Sequence, residues 1–493
     1  MSRVAVSTIT AGRVAAVAAG NADTAAAAAA VLRAGGNAVD AAVAAGFASA
    51  VTEPGLSSLG GGGFLLSAPP DGPERLLDFF VDAPGLGRPP GALEPSFLPV
   101  TVRFVGADQV FHAGWGSVAV PGCLDGYLQV HRQLGRLSLA DVVAPATELA
   151  EHGTVLDAAQ ADLLDLLAET LTLAPEGRTI FAPGGRMLGV GERMRNEALA
   201  ALLGQIAAGR LRSFADPALA GPLETAMTAA GGLVTATDLS LYAVHEREPL
   251  RLTYRGAELT TNPPPSVGGG LVAEALAALD GQRPLDGTAE SYCRLAGVLV
   301  RMSQRHLVGP QAVQGTTHVS VVDAESNLAA MTTSNGSCSG QFVPGTGVQL
   351  NNVMGEADLH PDGFHVTAPG TRIGSMMAPT VVTTADGALI GLGSGGSERI
   401  RSALTCVLTG LLDRGLSVEA AVNAARLHWD RELLQVEPGL PPDVLAELGR
   451  RHPVNEWARA NLYFGGANAV ARAADGTVSA AGDARRGGAA VLV

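Results

Sequence analysis

Gly315, Thr316, Thr317 and His318 stand directly before the run VSVVDA, and LAAMTTS resumes after the short turn ESN. Small polar and β-branched residues alternate through HVSVVDA, so the pair predicts a β-hairpin. Threonine favours strands, and two threonines opening a strand need no further explanation. The same residues also carry a definite chemistry. A threonine hydroxyl is a weak nucleophile until a base takes its proton. If the peptide bond before Thr316 is cut, its own α-amine becomes free, with an ordinary pKa of about 7.7–8.0, and can act as that base. The cut can be made by the chain itself: the Thr316 hydroxyl attacks the Gly315 carbonyl, forms an ester, and water opens it. Gly315 has no side chain to obstruct the attack.

Acyl transfer also needs donors for the developing oxyanion. Gly395 and Gly396, between the strand-like LIGLGS and the helix-like SERIRSAL, can present backbone N–H groups. An ordinary strand-to-helix turn explains the same two glycines equally well. Other hydrolytic arrangements lack support: there is no GxSxG elbow around Ser394 and no HExxH zinc motif. The histidines are scattered, and His318, following Thr317 on the strand, reads as a hydrogen-bonded structural residue.

The elements that must position these groups are legible at low resolution. Segment 22–52 reads as two helices rich in small residues, separated at Gly35-Gly36, the second beginning near Asn37. SSLGGGGFLLSAP places a glycine loop before a strand, where backbone can approach a ligand or another chain segment. No Lys-Ser/Thr follows, so it is not a phosphate loop. RLLDFFVDAP (75–84) reads as a strand, 120–240 as largely helical, and NPPPSVGGG as a rigid loop opening onto a helix. GVQLNN, APTVVTTADGALIGLGSGG and a hairpin around ANAVARAADGTVSAAGD make the last third strand-rich. Without a βαβ rhythm, this favours stacked antiparallel sheets covered by helices.

Composition narrows the classes. The 493 residues are 47% hydrophobic, enough for a large core and incompatible with disorder from low hydrophobicity. The net charge is −14, every basic residue is arginine, and no basic run occurs, which argues against nucleic-acid partners. The four cysteines, Cys123, Cys293, Cys338 and Cys406, form no CxxC pair and read as free thiols. The N-terminal segment shows no continuous apolar core of a leader, and Arg33, Asn37 and Asp40 interrupt the alanine-rich stretch, so neither a signal peptide nor a membrane span is expected. A cytoplasmic location is the resulting expectation.

Taken in order, LRAGGNAVDAAVAAGFASAVTEP, SLGGGGFLL, SVAVPG, GGLVTATDL, PPPSVGG, TTHVSVVDA, VQLNN, SMMAPT, GSGGSERIRSAL and NLYFGGANAVAR resemble the γ-glutamyltransferase family of N-terminal nucleophile hydrolases. The resemblance implies an α+β fold, a four-layer αββα sandwich of two stacked antiparallel sheets. It implies cleavage into 1–315 and 316–493, which interleave in one globular unit as a heterodimer. Thr316 becomes nucleophile and base, Ser334, eighteen positions on, supports it, and Gly395 and Gly396 form the oxyanion hole. Ser375 maps to the segment gripping the substrate α-carboxylate, Glu356 to the acidic residue pairing with its α-ammonium, and Asn335 to the polar residue after the strand. The implied substrate is a small γ-glutamyl amide of the glutathione type, with the acyl group passed to water or an amino acid. No metal or organic cofactor is implied.

This chain departs from that pattern in its acyl grip. Phe80 in DFFVDAP replaces an arginine that holds the glutamate carboxylate, and an aromatic ring cannot stand in for a guanidinium fork. Ser375-Met376 keeps one hydroxyl of a serine pair, Gly336 takes the place of an asparagine beside Asn335, and Val353 replaces a polar residue. Arg372 lies three residues before Ser375, where a substitute cation could stand. Two other readings therefore remain: the same nucleophile with another acyl specificity, of the cephalosporin or glutaryl type, and an uncut, inactive relative with a binding role.

Overall fold

The computed structural model describes residues 14–89, 94–104, 107–305, 315–360 and 362–493. Val313 and Gln314, just before the expected cut, and residues 1–13, in which a leader was sought, lie outside the described residues.

Two antiparallel sheets organise the chain. Their strands are β1 (Ala16–Ala19), β2 (Gly62–Ala68), β3 (Arg75–Phe79), β4 (His245–Arg247), β5 (Leu250–Tyr254), β6 (Ala257–Thr261), β7 (Gly315–Val322), β8 (Leu328–Gly336), β9 (Thr380–Thr383), β10 (Leu389–Gly395), β11 (Gly466–Arg472), β12 (Val478–Ala481) and β13 (Ala489–Leu492). The first sheet has seven strands in the order β13-β1-β7-β8-β2-β3-β4, and the second has six in the order β12-β11-β10-β9-β6-β5. The expected hairpin is β7–β8, with Thr316 opposite Ser334 and an irregularity in register between Gly315 and Thr316.

Side chains alternate across the first sheet as the strand period requires. Val319, Val321, Ala329, Met331, Leu65 and Leu77 share one core with helices α1 (Ala22–Arg33), α2 (Ala38–Thr52), α3 (Cys123–Leu134) and α4 (Leu139–His152). Asn37 begins α2 as expected: its side chain accepts from Asp40 N while the Asp40 carboxylate accepts from Asn37 N, a reciprocal cap. Phe64, Leu66, Leu76, Leu328 and Ala330 point the other way. They share a second core with Leu259, Val381 and Leu392 of the second sheet, and with helices α5 (Gly268–Leu279), α6 (Ala289–Arg305) and α7 (Arg399–Leu412).

The sheets meet along β10. Gly391, Gly393 and Gly395 all face β7–β8, and a Cβ there would fall 2.7 Å from the Leu328 side chain, 2.3 Å from the His318 ring and 2.0 Å from the Thr316 carbonyl oxygen. Three glycines at strand period thus bring the second sheet against the strand that carries Thr316.

The sequence reading needs correction elsewhere. GVQLNN is not a sheet strand; Gln349 and Leu350 make only isolated bridges, to Phe342 and Gly60. A hairpin, Leu98–Phe104 with Ala107–Ala113, and the strands β1 and β13 were not anticipated. AVAA and AAVL carry no strand alternation of their own, and it is pairing with each other and of β1 with β7 that makes them strands. All four cysteines are free, as expected. Among the described residues, no helix is long and apolar enough to cross a membrane.

Candidate active site

Thr316 and Ser334 lie side by side because the register of β7–β8 pairs them. The Thr316 hydroxyl donates to Ser334 Oγ at 3.2 Å, and Ser334 Oγ donates in turn to the Gly315 carbonyl oxygen at 2.7 Å. The N–H of Gly336 donates to the same Ser334 oxygen at 3.1 Å. Both hydroxyls are buried. Ser334 therefore touches the nucleophile candidate and the carbonyl it would attack. Gly61, in the glycine loop, packs on the Ser334 backbone, where a Cβ would fall 2.3 Å from its carbonyl oxygen. That loop approaches a neighbouring chain segment, one of the two roles its composition allowed.

Gly395 lies on the Thr316 carbonyl, as described above. Gly396, at φ +119°, packs against Gly465 and the Arg486 guanidinium, so Gly395 lies at Thr316 and Gly396 beside the arginine next to it. His318 is structural: its ring nitrogens bond Thr332 Oγ1 and Ser320 Oγ, each at 2.8 Å, and burial pushes its pKa down to about 3, leaving it neutral.

Two charged residues at this centre escaped the sequence reading. The Glu53 carboxylate accepts from Thr317 Oγ1 at 2.7 Å and from Thr24 Oγ1 at 2.9 Å, and burial raises its pKa to about 7 against the lowering effect of those hydroxyls. Arg486 donates from one guanidinium nitrogen to the Thr316 carbonyl at 3.2 Å and from another to the Leu462 carbonyl, also at 3.2 Å. Nothing in TEPG or DARRGG marks either residue, because both reach the site by tertiary packing. A cavity of about 360 Å³ opens beside Gly315, with Leu56, Leu163, Leu167 and Leu462 on its apolar wall and Ser337 and Arg486 among its polar lining.

The residues expected to grip a substrate are placed differently. Glu356 is buried behind the turn after Ser334: a Cβ on Gly336 would fall 2.4 Å from its Oε1, and that oxygen has no hydrogen-bond partner. Burial first, and then the neighbouring Asp358, hold the Glu356 carboxyl well above the usual carboxylate range. Asn335 donates its backbone N–H to Leu56 O at 3.2 Å, while its buried side-chain amide is unbonded. Ser375 sits in a turn against the β6–α5 loop, its Oγ accepting from Met377 N at 3.0 Å and its carbonyl from Ser266 Oγ at 2.9 Å. None of these hydrogen bonds reaches Thr316.

Phe80 turns into the core and stacks on Phe64 with ring centroids 5.8 Å apart. Arg372 offers no substitute grip. Its side chain is 6% exposed and bonds Asp78 and Asp82, each at 2.7 Å, besides the Ala243 carbonyl at 2.6 Å. Its guanidinium holds together the very segment in which the missing arginine would lie.

The hairpin of Thr316 and Ser334, with Gly395 against it, is the arrangement to which known proteins can now be compared. The family model for gamma-glutamyltranspeptidase matches residues 24–297 and 300–493. The chain belongs to the gamma-glutamyltranspeptidase family. It is 31% identical over 518 residues to the Acylase ACY 1 proenzyme of Pseudomonas sp. (strain V22), covering 95% of this chain and 91% of that one. It is 30% identical over 480 residues to the glutathione hydrolase proenzyme of Escherichia coli (strain K12), covering 85% and 82%. Among solved structures, cephalosporin acylase from Bacillus halodurans superposes with a TM-score of 0.84 at 25% identity, over 100% of this chain and 97% of that one. Members of this family thus include proteins named for glutathione and others named as acylases.

Proposed function

We propose that this chain is a self-processing amidohydrolase and acyltransferase that cuts itself before Thr316 and then uses Thr316 on γ-glutamyl amides. The observation that carries the reading is the contact of Ser334 Oγ with both the Thr316 hydroxyl and the Gly315 carbonyl. In the first stage Thr316 Oγ1 adds to the Gly315 carbonyl carbon, and Ser334 donates to the oxygen as it gains charge. The Gly315–Thr316 C–N bond breaks, the nitrogen takes the hydroxyl proton, and Gly315 becomes an ester on Thr316. Water opens the ester and leaves Gly315 as a carboxylate and Thr316 with a free hydroxyl and α-amine.

In the second stage the α-amine takes the hydroxyl proton as Thr316 attacks the substrate amide carbonyl, and returns it to the departing amine. N–H groups at Gly395 and Gly396 would serve the oxyanion. Water or an amino acid then takes the acyl group. The frame for this is a four-layer αββα sandwich, with fragments 1–315 and 316–493 interleaved as a heterodimer. Glu356, a buried carboxyl with an unbonded oxygen close to the Ser334 turn, suits a substrate α-ammonium; Asn335 and Ser375 supply the remaining polar contacts.

A second reading keeps this chemistry and changes the acyl group to one without the glutamate α-carboxylate. It is favoured by Phe80 stacked in the core and by Arg372 committed to Asp78 and Asp82. Intact mass of the purified protein tests the first stage, which requires a fragment beginning Thr-Thr-His. Rates on γ-glutamyl and glutaryl anilides separate the two readings. A chain that stays whole and turns over neither anilide removes both.

A further inference from the structure

Arg486 reaches Thr316 along a path that only glycines permit. A Cβ on Gly466 would fall 2.4 Å from Arg486 Cδ, and one on Gly396 would fall 3.1 Å from a guanidinium nitrogen. The guanidinium ends 3.2 Å from the Thr316 carbonyl oxygen. A residue's nitrogen lies only a few ångströms from its own carbonyl oxygen, so the Thr316 nitrogen is within about 7 Å of this cation. In the uncut chain that nitrogen is an amide. After the cut it is an amine, and a nearby positive charge opposes its protonation.

We propose that Arg486 is a positioning residue that holds the α-amine of processed Thr316 in its free-base form at neutral pH. The inference rests on Thr316 being uncovered by self-cleavage. Burial pushes Arg486 itself down to about 10, which leaves it charged at neutral pH. The other groups packed around the hairpin set the sign. His318, on the same strand, is neutral. Arg485 is met by Glu437 at 2.5 Å and by Asp483 at 3.1 Å. Burial, and then the neighbouring Asp358, raise the carboxyl of Glu356, behind Gly336, well above the ordinary range, which weakens its pull on a cation. Arg399, at the start of α7, is fully buried with no hydrogen bond to its guanidinium, lies 4.8 Å from the Tyr463 ring centroid, and adds positive charge near Arg486. Glu53 opposes them, but it bonds Thr317 rather than Thr316 and titrates at about 7. Asp483 also acts on Arg486, but it is already paired with Arg426 at 2.5 Å and with Arg485 at 3.1 Å, so the cation in contact with Thr316 sets the sign.

The direct test is the processed wild-type protein labelled with ¹⁵N-threonine, with the N-terminal amine titrated by NMR. The expected midpoint lies below the ordinary range of about 7.7–8.0, and a midpoint in or above that range overturns the proposal. The second test is the pH profile of kcat/KM for Arg486→Met and Arg486→Lys. The methionine variant should move the acid limb upward by about one pH unit, a loss of about tenfold below it, and the lysine variant should restore the limb. If both variants lose activity equally with the limb unmoved, Arg486 acts only as a structural brace. Where Arg486→Met does not fold or cut, the wild-type titration decides alone. A wild-type chain that is never cut defeats the reading of Thr316 itself, an outcome intact mass separates from an ordinary amine on a cut chain.

Discussion

The hairpin at Thr316 and the segment at Phe80 are both buried, and their polar groups are used in opposite ways. At the hairpin, short neutral groups are linked in series, Thr316 to Ser334 to the Gly315 carbonyl, each within 3.2 Å of the next. The chain can rearrange there with little reorganisation, as bond making at a buried carbonyl requires. At the Phe80 segment the charges close on themselves: Arg372 binds Asp78 and Asp82, and Arg247 binds Asp78 at 2.8 Å. Both guanidinium groups at this segment are thereby committed to its own carboxylates. The difference is between neutral groups in series at Thr316 and charges paired off at Phe80, and on the proposed reading it separates the reaction from the acyl grip.

The comparison breaks most completely at Thr316. Thr316→Ala should abolish both the cut and all turnover, read as a single intact mass; a cut alanine variant would place the reaction elsewhere. Next in size is Arg372→Met. Removing one partner of a buried pair should cost about 3–5 kcal/mol, measured by urea unfolding, with KM unchanged for substrates the variant still cuts. Unchanged stability with a raised KM would instead make Arg372 a substrate grip. Ser334→Ala removes the donor to the Gly315 carbonyl and should slow self-cleavage by about 10²–10³-fold, followed by intact mass over time. Unaltered kinetics would reduce the Ser334 contact to packing. The smallest and most selective effect is expected from Glu356→Gln. It should lower kcat/KM for a γ-glutamyl anilide by about tenfold, the range of a charged hydrogen bond, and leave a glutaryl anilide, which has no ammonium, unaffected. Equal losses on both would remove Glu356 from substrate recognition.

Much of the site could be read from residue order. The β7–β8 hairpin follows from strand alternation around one turn, the partnership of Thr316 with Ser334 came from the family resemblance, and Asn37 announced the start of α2. Of the β10 glycines only Gly395 was singled out, together with Gly396, as oxyanion donors or a strand-to-helix turn. The period of two in β10, at 391, 393 and 395, was the available signal that another strand lies against these glycines. Arg372 was misjudged as a candidate grip, because its partners Asp78 and Asp82 are almost 300 positions away.

The sequence by itself determined the hairpin, the cysteine state, the family and the candidate nucleophile, since these rest on local pattern and on motifs in a fixed order. The tertiary structure decided which charges meet Thr316 and its strand and which are paired elsewhere. Glu53 and Arg486 reach the Thr316 strand, Arg372 turns away to its aspartates, and Phe80 stacks into the core. Such pairings depend on how two sheets and the loops around them pack, and no local periodicity encodes the distance between residues that far apart in the chain.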